Sequence, residues 1–99
     1  MAEILLTFHC ATRDTDIVTE AIRTCSDAPI HIGEKTVRGR DFGDARTAEK
    51  VAGLLQRRAL ELIVEEEALD GLLGAVTGAR RAHPVRWHAV PVAARGRIA

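Results

Sequence analysis

A chain of 99 residues is long enough for one domain with a single modest core. With 46% apolar and 28% charged residues, it reads as globular and not as a disordered segment. Fourteen Lys and Arg balance fourteen Asp and Glu, which removes the basic field of a nucleic-acid binder; no apolar run approaches the roughly 20 residues of a membrane span.

The charge is unevenly placed. From Asp70 onward there are five arginines (Arg80, Arg81, Arg86, Arg95 and Arg97) and one acid, which allows a local anion site at that end. No basic stretch followed by a long apolar one opens the chain, so no signal peptide is expected and the location is read as cytoplasmic. Cys10 and Cys25 make no disulfide framework and are expected as two buried thiols in a reducing compartment.

Glu3 to Cys10 is short, apolar and rich in strand formers, with Ile4, Leu6, Phe8 and Cys10 on one face and Leu5, Thr7 and His9 on the other. Asp14 or Thr15 is placed to cap a first helix. Its stripe is Val18, Ala21, Ile22 and Cys25, and Ser26-Asp27-Ala28-Pro29 ends it. Ile30 to Val37 reads as a second strand. Arg38 to Ala48 is polar with two glycines and reads as a long irregular loop, in which Asp41 and Asp44 with Arg38, Arg40 and Arg46 form ion pairs or dock a partner. Gln56 to Val64 is a third strand, with Arg57-Arg58 as a solvated pair. Leu69, Leu72, Leu73 and Val76 give the second helix its stripe, Glu65-Glu66-Glu67 suit its positive end, and Gly78 suits its stop. Val85 to Val92 is a fourth strand. Pro91 inside it demands an edge, because proline cannot donate to a ladder.

The order βαββαβ predicts an α+β, ferredoxin-like sandwich: one four-stranded antiparallel sheet with both helices on one face, over residues 1–99 as a single domain. Within that order, Lys35-Thr36-Val37-Arg38-Gly39-Arg40-Asp41-Phe42-Gly43, the Pro91-Val92 pair and the Arg97-Ile98 ending resemble the PII signalling superfamily, and more closely a small PII-like branch that accompanies heavy-metal efflux systems. The resemblance implies a homotrimer that senses a small ligand in clefts between subunits. It implies signalling through the 38–48 loop to a membrane transporter or other partner, with no enzymatic activity and no membrane span or nucleic-acid contact of its own. Carried over by position, Gly39 and Arg40 fall at the base of that loop, Gly78, Arg80 and Arg81 in a ligand loop running to Pro84, and Arg95 and Arg97 on a tail reaching a neighbour's cleft. The ligand loop departs from the family pattern. It has one glycine and no lysine, and Pro84 lacks a donor, so the expected ligand is an adenine nucleotide held differently, another small molecule, or a soft metal ion.

His9-Cys10 is the metal candidate, since imidazole and thiolate suit copper or zinc, although strand neighbours point to opposite faces. His83 reads as a loop residue, and His88 and Trp87 as packing or subunit contacts. A trimer resembling the divalent-metal CutA family is the alternative to the PII-like reading. Two further classes find little support. An acylphosphatase-like enzyme would use an arginine and an asparagine, and the chain has no asparagine; an RNA-recognition sheet would stack bases on aromatics, and only Phe8, Phe42 and Trp87 are present.

Overall fold

The computed structural model describes residues 2–38 and 54–99. Strand β1 (Glu3–Ala11) leads through a 3-10 turn (Thr12–Asp14) into helix α1 (Thr15–Arg23). Strands β2 (His31–Arg38) and β3 (Leu54–Glu65) follow, then a second 3-10 turn (Glu66–Ala68), helix α2 (Leu69–Gly78) and strand β4 (Arg86–Pro91). The sheet order is β2-β3-β1-β4 with every pair antiparallel, the ferredoxin-like arrangement expected from the sequence. No helix of the described residues is long and apolar enough to cross a membrane.

The alternation of β1 sets the core. Ile4, Leu6, Phe8 and Cys10 lie opposite Val64, Leu62, Leu60 and Arg58 of β3, and directly paired residues share a face. That face is covered by Val18 and Ile22 of α1 and by Leu72 and Val76 of α2, and Leu6, Val18, Ile22, Leu60 and Leu72 are fully buried. At roughly 1.5–3 kcal/mol for each fully buried side chain, this layer is the main source of stability. Pro91 sits on edge strand β4, where its missing N–H leaves no gap in the ladder. The opposite edge, β2, is exposed along its whole length and carries Glu34, Lys35 and Arg38, charges that discourage pairing with another chain.

Two local expectations are corrected. Helix α1 stops at Arg23, and the amides of Cys25 and Ser26 both donate to the Ile22 carbonyl at 3.0 Å. Cys25 lies beyond the helix end with its thiol exposed, beside the Thr24 hydroxyl at 3.6 Å and donating to the Gly71 carbonyl of α2 at 3.8 Å, and only Cys10 is buried. Arg57 is also not solvated. It lies on the sheet face away from the helices, 6% exposed, with Nη1 donating to the Gln56 carbonyl at 2.8 Å. Arg58 is half-buried and pairs with Glu34 at 3.1 Å.

Leu60→Ala, which opens a cavity at the centre of the core, should lower stability by about 2–5 kcal/mol in urea titrations. Gly74 is exposed inside α2, and a Cβ there would meet nothing within 4 Å. Gly74→Ala should therefore raise stability by about 0.4–1 kcal/mol in the same assay, through the unfolded state.

Candidate functional site

The sheet separates the expected ligand residues into two groups. Residues 79–85 connect α2 to β4 and lie against the end of β1 that runs into Asp14. The base of the 38–48 segment is at the same end, because Arg38 pairs with Leu54, three residues beyond the Arg57–Ala11 pair. Gly39, Arg40 and residues 41–48 lie outside the described residues. The tail after β4 leaves from the opposite end, where the Val92 amide donates to the Glu3 carbonyl at 3.0 Å. Glu3 and Ala11 stand roughly 26 Å apart along β1 at about 3.3 Å per residue. Arg80 and Arg81 therefore share no site with Arg95 within one protomer.

The 79–85 connection is bonded to itself and to the turn after β1. Gly78 is the last residue of α2, in agreement with the sequence. Arg81 donates from Nε to the Val76 carbonyl at 3.2 Å and from Nη1 to the His83 carbonyl at 3.0 Å, so its guanidinium caps the helix C-terminus, where a cation is favoured. Arg80 is exposed. The sequence offers Asp14 or Thr15 as the cap of α1; Asp14 holds the cap position, but its side chain makes no capping bond. Its carboxylate, 2% exposed, instead accepts from the Ala82 amide at 3.0 Å and the His83 amide at 2.9 Å. Thr15 takes a local role, with its hydroxyl donating to the Thr12 carbonyl at 2.7 Å.

At the other end, Arg95 grips Glu3 with two bonds, Nε to Oε1 at 3.0 Å and Nη2 to Oε2 at 2.7 Å. The guanidinium holds the Glu3 carboxyl below its ordinary range. Arg95 also lines a groove of about 530 Å³ with Leu5, Pro29, His31, Glu61 and Ile63. The groove forms where β2 stops: His31 pairs with Glu61, and Leu62–Glu65 of β3 continue past it. Its size suits a small molecule. Arg97 and Ile98 are exposed beyond it, Ile98 completely.

His9 and Cys10 point to opposite faces of β1, so one ion cannot take both without distorting the strand. Cys10 is fully buried, and burial pushes its thiol up, away from the thiolate a soft metal needs. Among the described residues no group of three or more His, Cys, Asp and Glu is arranged to hold a metal ion. His9 instead lies on the face away from the helices and stacks on His88, ring centroids 5.4 Å apart and planes at 23°. Trp87 is 46% exposed on β4, opposite Phe8.

The sheet order and the βαββαβ element order are those of the ferredoxin-like fold. The profile of a family described as "Protein of unknown function (DUF3240)" matches residues 34–99. The chain belongs to that family. No curated protein matches it. Among solved structures it is similar to a DUF3240 family protein from Shewanella baltica, at 15% identity and a TM-score of 0.78 over 100% of this chain and 99% of that one. It is also similar to a provisionally assigned PII-like signalling protein from Thermus thermophilus, at 19% identity and a TM-score of 0.60 over 93% and 88%. A Bacillus cereus protein related to NIF3 matches at 12% identity and a TM-score of 0.72, over 97% of this chain and 26% of that protein. At these identities the likeness is one of fold.

The environment of His9 gives a pH dependence. Desolvation first, then the neighbouring His88 and Lys35, lower its pKa below the ordinary 6.5, against a smaller opposing pull from Glu61. The unfolded chain then binds the proton more readily, so this part of the stability is complete above the unfolded value and is lost as pH falls through the folded one. Urea midpoints taken from about pH 8 down to pH 5 should decline less for His9→Gln than for the wild type; equal slopes would remove His9 as the cause.

Proposed function

We propose that this protein is a non-enzymatic PII-like regulator: a homotrimer that senses a small ligand in clefts between subunits and passes its state through the 38–48 segment to a membrane transporter, of the heavy-metal efflux type, or another partner. The observation that carries the reading is the fold, which matches a PII-like signalling protein over nearly the full length of both chains. Two features of the protomer support assembly. The sheet face away from the helices carries Leu5, Ile63, Val37 and Val90, the last two 38% and 45% exposed, and a core this small gains from covering such a surface. The arginine-bearing elements leave opposite ends of one sheet, so a cleft that uses both needs a second subunit.

His9 and His88 favour a second reading, a CutA-like metal trimer. Two imidazoles stacked on the open face offer soft-to-borderline ligands that neighbouring copies can complete.

Light scattering coupled to gel filtration should give a mass of three chains, and Val90→Glu combined with Ile63→Glu should shift it to one. A monomeric wild type ends both readings. Calorimetric titration of the trimer with ATP, ADP, zinc and copper separates them: nucleotide binding supports the regulator, whereas metal binding that His9→Gln abolishes supports the second.

A further inference from the structure

The residue that contacts the 79–85 connection most closely comes from the far side of the sequence. Asp14 ends the 3-10 turn after β1, and its two carboxylate oxygens accept one hydrogen bond each from two consecutive amides, Ala82 to Oδ1 at 3.0 Å and His83 to Oδ2 at 2.9 Å. Successive backbone N–H groups turned toward one anion are an arrangement with which proteins hold oxyanions. A carboxylate presents two oxygens to such a pair much as phosphate or sulfate would. The position is built, not incidental: the carboxylate is 2% exposed, it forgoes the cap of its own helix, and the loop is braced from behind by Arg81 on the Val76 and His83 carbonyls.

We infer that Ala82 and His83 form an oxyanion site whose resident anion is the side chain of Asp14, and that this tethered carboxylate keeps the loop closed to free phosphate, sulfate and phosphate-bearing ligands. Both partners of the site belong to one protomer, so the inference stands independently of the trimer. A covalently attached anion competes at high effective concentration and loses little freedom on binding, so a free one enters only by displacing it. Phosphate recognition by this loop is thereby suppressed, and any ligand sensed by the wild-type protein is held elsewhere unless it first releases Asp14.

Chemical rescue tests the assignment. Asp14→Gly leaves the amide pair empty and tolerates the helix-capping position. In chloride its thermal midpoint should fall below that of the wild type. On replacing chloride with phosphate or acetate at constant ionic strength it should recover saturably, by roughly 4–8 °C. The wild type should show only the general, non-saturating response to excluded salts, and so should Leu60→Ala, a variant weakened in the core. Equal responses from Asp14→Gly and Leu60→Ala overturn the proposal. If Asp14→Gly does not fold in chloride, Asp14→Asn decides, because its neutral carboxamide is the weaker occupant. Added phosphate should then shift the Ala82 and His83 amide resonances of Asp14→Asn and leave those of the wild type in place. Unmoved amides in Asp14→Asn, or equal movement in the wild type, overturn it.

Discussion

The constraint on which the rest depends is the register of β1 against β3. Nine consecutive pairs, from Glu3 with Glu65 to Ala11 with Arg57, fix which side of each strand looks toward the helices. Because side chains alternate, a slip of one residue would carry Leu6 and Phe8 to the open face and bring Thr7 and His9 beneath α1 and α2. The same register places the two ends of β1 where they are used. Glu3 lies within reach of Arg95, and the chain leaving Ala11 delivers Asp14 to the amides of Ala82 and His83.

Two of the arginines that suggested a ligand site, Arg81 and Arg95, thus have structural roles within one protomer. Arg81 closes the end of α2, Arg95 holds the first residue of β1, and Asp14 fills the amide pair beside Arg81. Among the described residues, surfaces that remain open include a groove lined by Leu5, Pro29 and Ile63 together with His31, Glu61 and Arg95, and a sheet face with Val37 and Val90. Exposed ion pairs such as Glu3–Arg95 add little stability, so their value lies in direction, here setting the path of the tail as it leaves β4.

The fold is legible in the sequence where a short-range pattern controls the outcome. The alternation from Ile4 to Cys10, the stripe from Leu69 to Val76 and the position of Pro91 each answer to local geometry, and the structure agrees with each. The departures fall where a distant partner, an early helix end or burial of one sheet face overrides the local pattern. Asp14 before a helix looks like a cap, and nothing nearby in the sequence announces amides 68 and 69 residues later. Cys25 fits the helical period, but the turn at Thr24 ends α1 first. Arg57 beside Arg58 looks like a solvated pair, yet alternation sends the two to opposite faces, with Arg58 meeting the Glu34 carboxylate across the strand. The capping role of Arg81 is readable, since a cation just beyond a helix end is favourable there; the resemblance hides it by assigning that arginine to a ligand.

The central position of β1 also shapes how the chain reaches this structure. Both neighbours of β1 are encoded well after it, and the second of them ends only at Pro91. During synthesis the alternating segment from Ile4 to Cys10 therefore emerges with α1 close behind it to cover one face, but long before either strand that pairs with its edges. The sheet closes late, through contacts of large sequence separation, and such topologies gain native structure slowly. Until β3 and β4 are made, the central strand has both edges unpaired, and unpaired edges beside apolar surface are what favour association between partly folded chains.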